Sequence, residues 1–140
     1  HVLEDWADES LYFYEMRLRF GMPHNRSRTL PKLLAHENAV MKTVAPFILP
    51  RAIDGQTRAQ GVGRKSDEQV LSDVRRHLDA LEALLAGRET LVGDRLSLAD
   101  VGVFCMLYCI DDSREGAAEI GRRPAVAAFM EHVDRATAAP

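Results

Sequence analysis

The segment GDRLSLADVGVFCMLYCI, residues 93–110, decides the fold. Ser97 is a favourable N-cap residue, and Asp100 lies three positions later, which is the spacing of a capping box in the form S-x-x-D. Residues 101–110 contain no charged side chain. A helix that is apolar on every side is a buried one, and this helix is shorter than the roughly 20 apolar residues that cross a bilayer. We therefore predict a buried central helix that begins after Ser97, with Ser97 and Asp100 as structural capping residues.

The composition is that of an ordinary globular domain. The chain has 140 residues, of which 46% are hydrophobic and 28% charged, so residues 1–140 fit a single domain with one core. The formal net charge of -3 provides no general attraction to nucleic acid or to an anionic membrane, and we expect neither as a partner. Cys105 and Cys109 cannot form a disulfide framework; we expect both to be buried and the protein to be cytoplasmic.

Apolar residues recur at helical spacing through most of the chain, and no useful β-type alternation occurs. Helices are predicted over residues 2–20, from about Thr29 to Ile48, from Ser66 to about 85, from Ser97, and at the C-terminal end. Pro46 should end or kink the second of these, and residues 51–65 should form a basic loop. The fold class is therefore all-α, a multi-helix orthogonal or antiparallel bundle around one buried central helix. The apolar stripe predicted for the second helix consists of Leu33, Leu34, Val40, Met41, Val44 and Ile48.

The helix predicted from Ser66 has its own capping box and apolar stripe. Ser66 is the N-cap and Gln69 completes the box three positions later. The stripe recurs every three or four residues and consists of Val70, Val74, Leu78, Leu81 and Leu85.

Tyr12 and Met16 break the pattern of the first helix. They lie one turn apart on its otherwise polar side, and Phe13 borders the apolar stripe nearby. A Tyr–Met pair at helical spacing favours a second buried contact, made with another domain, a subunit or a ligand. The spacing leaves these three alternatives open.

Two partial motifs do not support a metal or nucleotide site. His36 and Glu37 begin like H-E-x-x-H, but Val40 stands where the second histidine is required. Residues 61–66, GVGRKS, lack the Gly-Lys-Ser order of a phosphate-binding loop. The backbone N–H groups at the following helix start leave an anion as a weaker alternative. We predict no metal site and no catalytic residue in this chain.

Four segments resemble the C-terminal helical domain of glutathione transferases. Residues 93–110 resemble the core motif of that domain, in which the same capping box begins a buried helix. Residues 3–8 resemble its first helix, residues 77–87 the helix before the motif, and residues 122–133 the closing helix. The loop 60–64, QGVGR, is also similar to the metaxin-like branch, so the subfamily stays open.

The resemblance implies a division of labour between two domains. In glutathione transferases a thioredoxin-like N-terminal domain binds glutathione and supplies the Tyr, Ser or Cys that activates its thiol, and this chain shows no βαβ pattern for such a domain. The resemblance implies that Tyr12, Phe13 and Met16 form a wall of the hydrophobic second-substrate site, with packing at the domain interface as an equal alternative.

The resemblance also implies partners. The intact protein would conjugate glutathione, its co-substrate, to a small electrophile, and would form a homodimer through the first two helices of this domain. The chain alone would be inactive, because it shows no pattern for the domain that binds glutathione. We expect it to be a piece of a longer protein. The alternative is a non-catalytic protein-interaction module of the same fold, metaxin-like or attached to a translation protein.

Overall fold

The computed structural model describes residues 2–138, which contain seven helices and no β-strand. The predicted all-α fold class is confirmed. A short 3-10 turn, Val62–Arg64, connects the third and fourth helices. The helices are α1 (residues 2–21), α2 (Pro23–Leu33), α3 (Ala39–Gln60), α4 (Asp67–Leu84), α5 (Leu98–Asp111), α6 (Arg114–Ile120) and α7 (Pro124–Thr137).

Helix α1 is continuous but alternates between α-helical and π-helical turns. The α-helical parts are Val2–Trp6 and Tyr12–Met16, and the π-helical parts are Ala7–Leu11 and Arg17–Gly21. The periodicity of the sequence predicts the helix but not these wide turns. π-Helical turns within helices are rare and are frequent at functional sites.

The main core lies where α4 and α5 pack with α1 and α7. The stripe predicted on α4 is confirmed, since each of its members is at most 1% exposed: Val70, Val74, Leu78, Leu81 and Leu85. The capping box predicted at the start of α4 is also present. The Ser66 amide donates to Gln69 Oε1 at 2.9 Å, and the Gln69 amide donates to Ser66 Oγ at 3.3 Å.

Helix α5 contacts α1, α6 and α7, but only one side of it is buried. Val103, Leu107 and Ile110 are completely buried on that side. The opposite side, which we call the open face of α5, consists of Leu98, Val101, Cys105 and Tyr108. The prediction that this helix is buried on every side is therefore wrong, because the other helices of the chain cover only part of its circumference.

The segment from residue 22 to residue 38 differs from the prediction of a loop followed by one long helix. Pro23 begins α2, since the missing N–H of proline needs no partner in the first turn of a helix. A turn then separates α2 from α3. Asn38 caps α3 by accepting a hydrogen bond from the Met41 amide to its Oδ1 at 2.9 Å.

Helix α3 continues through Pro46 and Pro50, so the loop predicted over residues 51–65 is wrong for residues 51–60. Each proline removes one hydrogen bond to the carbonyl four residues earlier, at Lys42 and at Pro46. Lys42 and Pro46 are both exposed. Because water can bond the released carbonyls there, the prolines do not end the helix.

The apolar stripe predicted for the second helix does not enter the core. Of its six members, only Leu34 is buried. The start of α3 instead carries an apolar surface whose residues are 42% to 70% exposed. We call it the α3 apolar surface; it consists of Val40, Met41, Val44, Phe47 and Ile48. A smaller second core lies behind it and is formed by Phe20, Leu30, Leu34, Ala45 and Ile53.

Gly116 of α6 has no space for a side chain. A Cβ at this position would lie 2.0 Å from the Ile110 carbonyl oxygen and 2.6 Å from Ser113 Oγ. We therefore expect Gly116→Ala to lower the free energy of unfolding by about 2 kcal/mol, as measured by urea denaturation. The control is Gly55→Ala in α3, where nothing lies within 4 Å of the added Cβ. This control should be neutral or stabilising by about 0.5 kcal/mol, and equal effects of the two variants would contradict the prediction.

Candidate functional site

The structure places Tyr12, Phe13 and Met16 on α1, all three half-buried. Phe13 packs against the main core, whereas Met16 packs against the smaller second core. The rings of Tyr12 and Phe13 meet edge to face with their centroids 5.2 Å apart. Met16 also borders a cavity. The three residues thus have different neighbours, and Met16 is the one that faces a space large enough for a ligand.

This space, the α1–α3 cavity, lies between the C-terminal half of α1, the start of α2 and the middle of α3. Its volume is about 450 Å³, which is in the range of small-molecule sites. Its apolar lining is Met16, Phe20, Pro46, Phe47, Pro50 and Ile53. Its polar side chains are Arg17, Arg26, Arg51, Asp54 and Thr57. With four charged side chains in its lining, this cavity is more polar than a typical small-molecule site, which is mainly apolar.

A second space, the α2–α3 cavity, has a volume of about 610 Å³. Arg26 and Pro46 border both this cavity and the α1–α3 cavity. Its remaining lining residues are Pro23, Ser27, Leu30, Pro31, Leu34, Ala35 and Lys42. The sequence did not predict either cavity, because both depend on the turn between α2 and α3 and on the passage of α3 through its prolines.

A polar network joins α1, α4 and the segment before α4. Asp73 is 7% exposed. Its Oδ2 accepts hydrogen bonds from the Tyr14 hydroxyl at 2.9 Å and from Lys65 Nζ at 2.5 Å, and its Oδ1 is bonded to Arg76. Burial alone would raise the pKa of Asp73, but the bonds from Lys65, Tyr14 and Arg76 outweigh it and lower the pKa to about 2. The carboxylate is therefore ionised and fully engaged.

The tyrosine of this network is not an activated hydroxyl. Burial is the main cause that raises the pKa of Tyr14 above its ordinary value. Lys65 Nζ donates to the Tyr14 hydroxyl at 2.9 Å, and the His77 ring meets the Tyr14 ring with centroids 5.1 Å apart. Burial also lowers the pKa of His77. Because Tyr14, Lys65 and Asp73 bond to one another, the network holds the segment before α4 against α1.

The two cysteines differ in exposure. Cys105 is exposed on the open face of α5, so the prediction that it is buried is wrong. Cys109 is half-buried, and burial, followed by the nearby Glu15 carboxylate, raises the pKa of its thiol. A raised pKa reduces the thiolate fraction and hence the reactivity of Cys109. Residues 2–138 contain no group of three His, Cys, Asp or Glu side chains that could hold a metal ion.

The capping residues predicted from the sequence lie at the start of α5. Asp100 Oδ2 accepts hydrogen bonds from the Ser97 amide at 2.8 Å and from the Ser97 hydroxyl at 2.6 Å. Asp100 Oδ1 accepts a third bond, from the Leu91 amide at 2.7 Å. The side chain thus caps α5 and also anchors the preceding loop, which the capping pattern alone does not indicate.

Residues 35–135 match the family model described as glutathione S-transferase, C-terminal domain. The chain belongs to this family. The matched range of this glutathione S-transferase C-terminal domain includes the capping residues of α5 but not Tyr12, Phe13 or Met16, which precede residue 35. Comparisons with curated proteins and with solved structures gave no match. Over residues 2–138, the domain has no helix with the length and apolar character needed to cross a membrane.

Proposed function

We propose that this glutathione S-transferase C-terminal domain forms the second-substrate side of an enzyme that conjugates glutathione to small electrophiles when joined to a thioredoxin-like N-terminal domain. The open face of α5 carries the proposal: Leu98 is 78% exposed and Tyr108 is 64% exposed. Contiguous exposed apolar surface of this kind marks a site covered by another domain or a ligand. In glutathione transferases, the domain that packs against this one is the glutathione-binding domain.

On the substrate side, we assign Tyr12, Phe13 and Met16 to the wall that contacts the electrophile. The Tyr12 hydroxyl makes no hydrogen bond to any residue from 2 to 138 and is therefore free to donate to a thiolate or leaving group. Met16 supplies a flexible apolar surface that adapts to different substrates. Catalysis would depend on the Tyr, Ser or Cys of the N-terminal domain.

We also propose a cytoplasmic homodimer. The predicted interface involves the first two helices of the sequence prediction, which correspond to α1, α2 and the start of α3. The α3 apolar surface supports this choice, since its residues are at least 42% exposed. A reducing compartment would keep the exposed Cys105 as a free thiol.

The test of the proposed wall is steady-state conjugation of glutathione to chlorodinitrobenzene by the intact protein. We expect Tyr12→Phe to reduce kcat about tenfold, because it removes one hydrogen bond to a charged group. We expect Met16→Ala to raise KM for the electrophile about threefold through lost apolar contact. Val92→Ala is the control, since Val92 is an exposed apolar residue in the loop before α5.

Two outcomes would contradict different parts of this proposal. Unchanged kinetics in both α1 variants of an active enzyme would remove Tyr12 and Met16 from the substrate wall. If the intact protein did not conjugate glutathione to any electrophile in a broad panel, the enzyme proposal would fail. The domain would then be better described as a non-catalytic interaction module, either metaxin-like or attached to a translation protein.

A further inference from the structure

We propose that Cys105 and Cys109 together bind one Cu(I) ion as its two thiolate ligands. Both residues lie on α5, and Cys105 belongs to the open face of α5. The inference differs from the sequence prediction that the chain has no metal site. It also goes beyond the proposed function, since both ligands belong to this chain and the binding needs neither glutathione nor a second domain.

The two thiols lie on consecutive turns of one helix. Residues four apart on a helix share a face, and their Cβ atoms are about 5–6 Å apart. Two Cys side chains at this spacing can direct their sulfur atoms to a single metal ion. Helix α5 is continuous from Leu98 to Asp111, which keeps both residues in a fixed register. Cys105 is exposed and Cys109 is half-buried, so a metal ion can reach the pair from solvent.

The two sulfur atoms select a soft cation with a low coordination number. Thiolates favour Cu(I) and zinc among the metals of the cell, but a structural zinc ion requires four ligands in a tetrahedron. Residues 2–138 contain no group of three His, Cys, Asp or Glu side chains around which such a site could form. Cu(I) forms stable linear complexes with two thiolates, so the cysteine pair is a complete ligand set for Cu(I).

Binding of Cu(I) moves protons but no electrons. Each thiol releases its proton to solvent as its sulfur bonds to Cu(I), which gives a bis-thiolate complex with one net negative charge. Burial, followed by the Glu15 carboxylate, raises the pKa of Cys109. Because the metal ion displaces the proton, the site does not require a free thiolate beforehand.

An unused donor beside Cys109 fits a metal-bound thiolate. Arg19 and Cys109 both line a third space, the α1–α5 cavity, whose volume is about 330 Å³. Arg19 Nη1 donates to Glu15 Oε2 at 3.0 Å. Arg19 Nε is buried and makes no hydrogen bond within the described part of the chain, although Asp112 Oδ2 lies 3.5 Å away. A coordinated sulfur can accept a hydrogen bond from this N–H group, and such bonds to metal ligands strengthen metal binding.

The remaining charges of the α1–α5 cavity do not oppose the complex. Besides Arg19, its lining contains two cations and two carboxylates: Arg28, Lys32, Asp111 and Asp112. Lys32 Nζ donates to Asp112 Oδ1 at 2.5 Å, whereas Arg28 and Asp111 are exposed to water. Because these four charges balance, the two sulfur atoms set the metal preference of the site.

The experiment is an anaerobic titration of the Cu(I) complex of bicinchoninate with the full 140-residue chain. We expect each chain to remove one Cu(I) ion from this chelator, measured as a loss of its visible absorbance. Cys105→Ser and Cys109→Ser should each weaken binding at least about hundredfold, because the second thiolate has the high effective concentration of an intramolecular ligand. The control is Met41→Leu, which removes an exposed thioether on α3 and should bind Cu(I) like the native chain.

Two further measurements test the geometry of the site. Arg19→Lys keeps the positive charge beside Glu15 but removes the Nε donor, and it should bind Cu(I) about tenfold more weakly. X-ray absorption at the copper edge should show two sulfur ligands. Urea denaturation would verify that each variant folds.

Several results would contradict the proposal. It is overturned if the chain takes no Cu(I) from bicinchoninate, if either serine variant binds like the native chain, or if an equal amount of Zn(II) displaces the copper. One Cu(I) per two chains would also overturn it, since the ion would then be shared by exposed cysteines of two copies. Binding by Arg19→Lys that equals native binding would remove Arg19 from the site. None of these results depends on conjugation activity.

Discussion

Asp100→Ala is expected to lower the free energy of unfolding by about 4 kcal/mol. The Asp100 side chain is completely buried and accepts three hydrogen bonds, two from Ser97 and one from Leu91. Loss of the helix cap costs about 1 kcal/mol, and each buried donor left without an acceptor costs about 1–3 kcal/mol. Leu91 is 3% exposed, so its amide cannot recover a bond to water.

Urea denaturation checks this value, with Asp94→Ala as the control because Asp94 is exposed in the same loop. Asp100→Asn keeps one carbonyl oxygen as an acceptor and should therefore show an intermediate effect. Faster hydrogen exchange of the Leu91 amide in the alanine variant would show that the loop has been released. A loss below about 1 kcal/mol would mean that Asp100 acts only as an ordinary surface cap.

Removal of the Asp73 carboxylate is the second large effect, and we expect Asp73→Ala to cost about 3 kcal/mol. The substitution leaves Lys65 and the Tyr14 hydroxyl without their shared acceptor. Breaking a buried ion pair costs about 3–5 kcal/mol. The lower end of this range applies to Asp73, because the side chains of Lys65 and Arg76 are 38% and 75% exposed and can bond to water instead.

The stabilisation by Asp73 should depend on pH in a defined direction. Its pKa falls from 3.8 to about 2 on folding, so the unfolded chain takes up the proton first as the pH falls. The contribution is complete above about pH 5 and is lost progressively as the pH falls towards 2. This lowering of the pKa corresponds to a contribution of about 2 kcal/mol to the free energy of unfolding.

The measurement is the difference in unfolding free energy between the native chain and Asp73→Asn, followed from about pH 6 to pH 2. This difference should shrink as the pH falls. Asp134→Asn is the control, because Asp134 is an exposed carboxylate on α7. A difference that stayed constant over the whole range would show that the charge of Asp73 does not stabilise the fold.

The features that the sequence predicts well are those determined by neighbours along the chain. Ser66 and Gln69 are three residues apart, as are Ser97 and Asp100, and each pair lies at the start of a helix. The α4 stripe is equally regular. Because capping and periodicity act within one or two turns, they can be recognised without knowing what packs against the helix.

The prediction fails where the outcome depends on the surroundings of a residue. Proline usually ends or kinks a helix. Helix α3 does not end at Pro46, because the carbonyl that loses a donor lies on an exposed residue, so the loop predicted over residues 51–65 is wrong for residues 51–60. The apolar character of α5 indicates burial, yet Tyr108 remains 64% exposed because none of the helices within residues 2–138 covers that side. Neither result can be read from local residue types.

The candidate site also has one part that the sequence predicts and one part that it does not. The Tyr–Met pair of α1 stands out in the sequence because it breaks a helical pattern, whereas Arg26 and Arg51 give no such indication. They border one cavity only because α2 and α3 turn back against α1. By itself, the sequence determined the helical class, the capped helices and the family resemblance, since these rest on short-range patterns. Tertiary structure alone decided which side of α5 is covered and which cations share a cavity with Met16, since burial depends on contacts between segments distant in the chain.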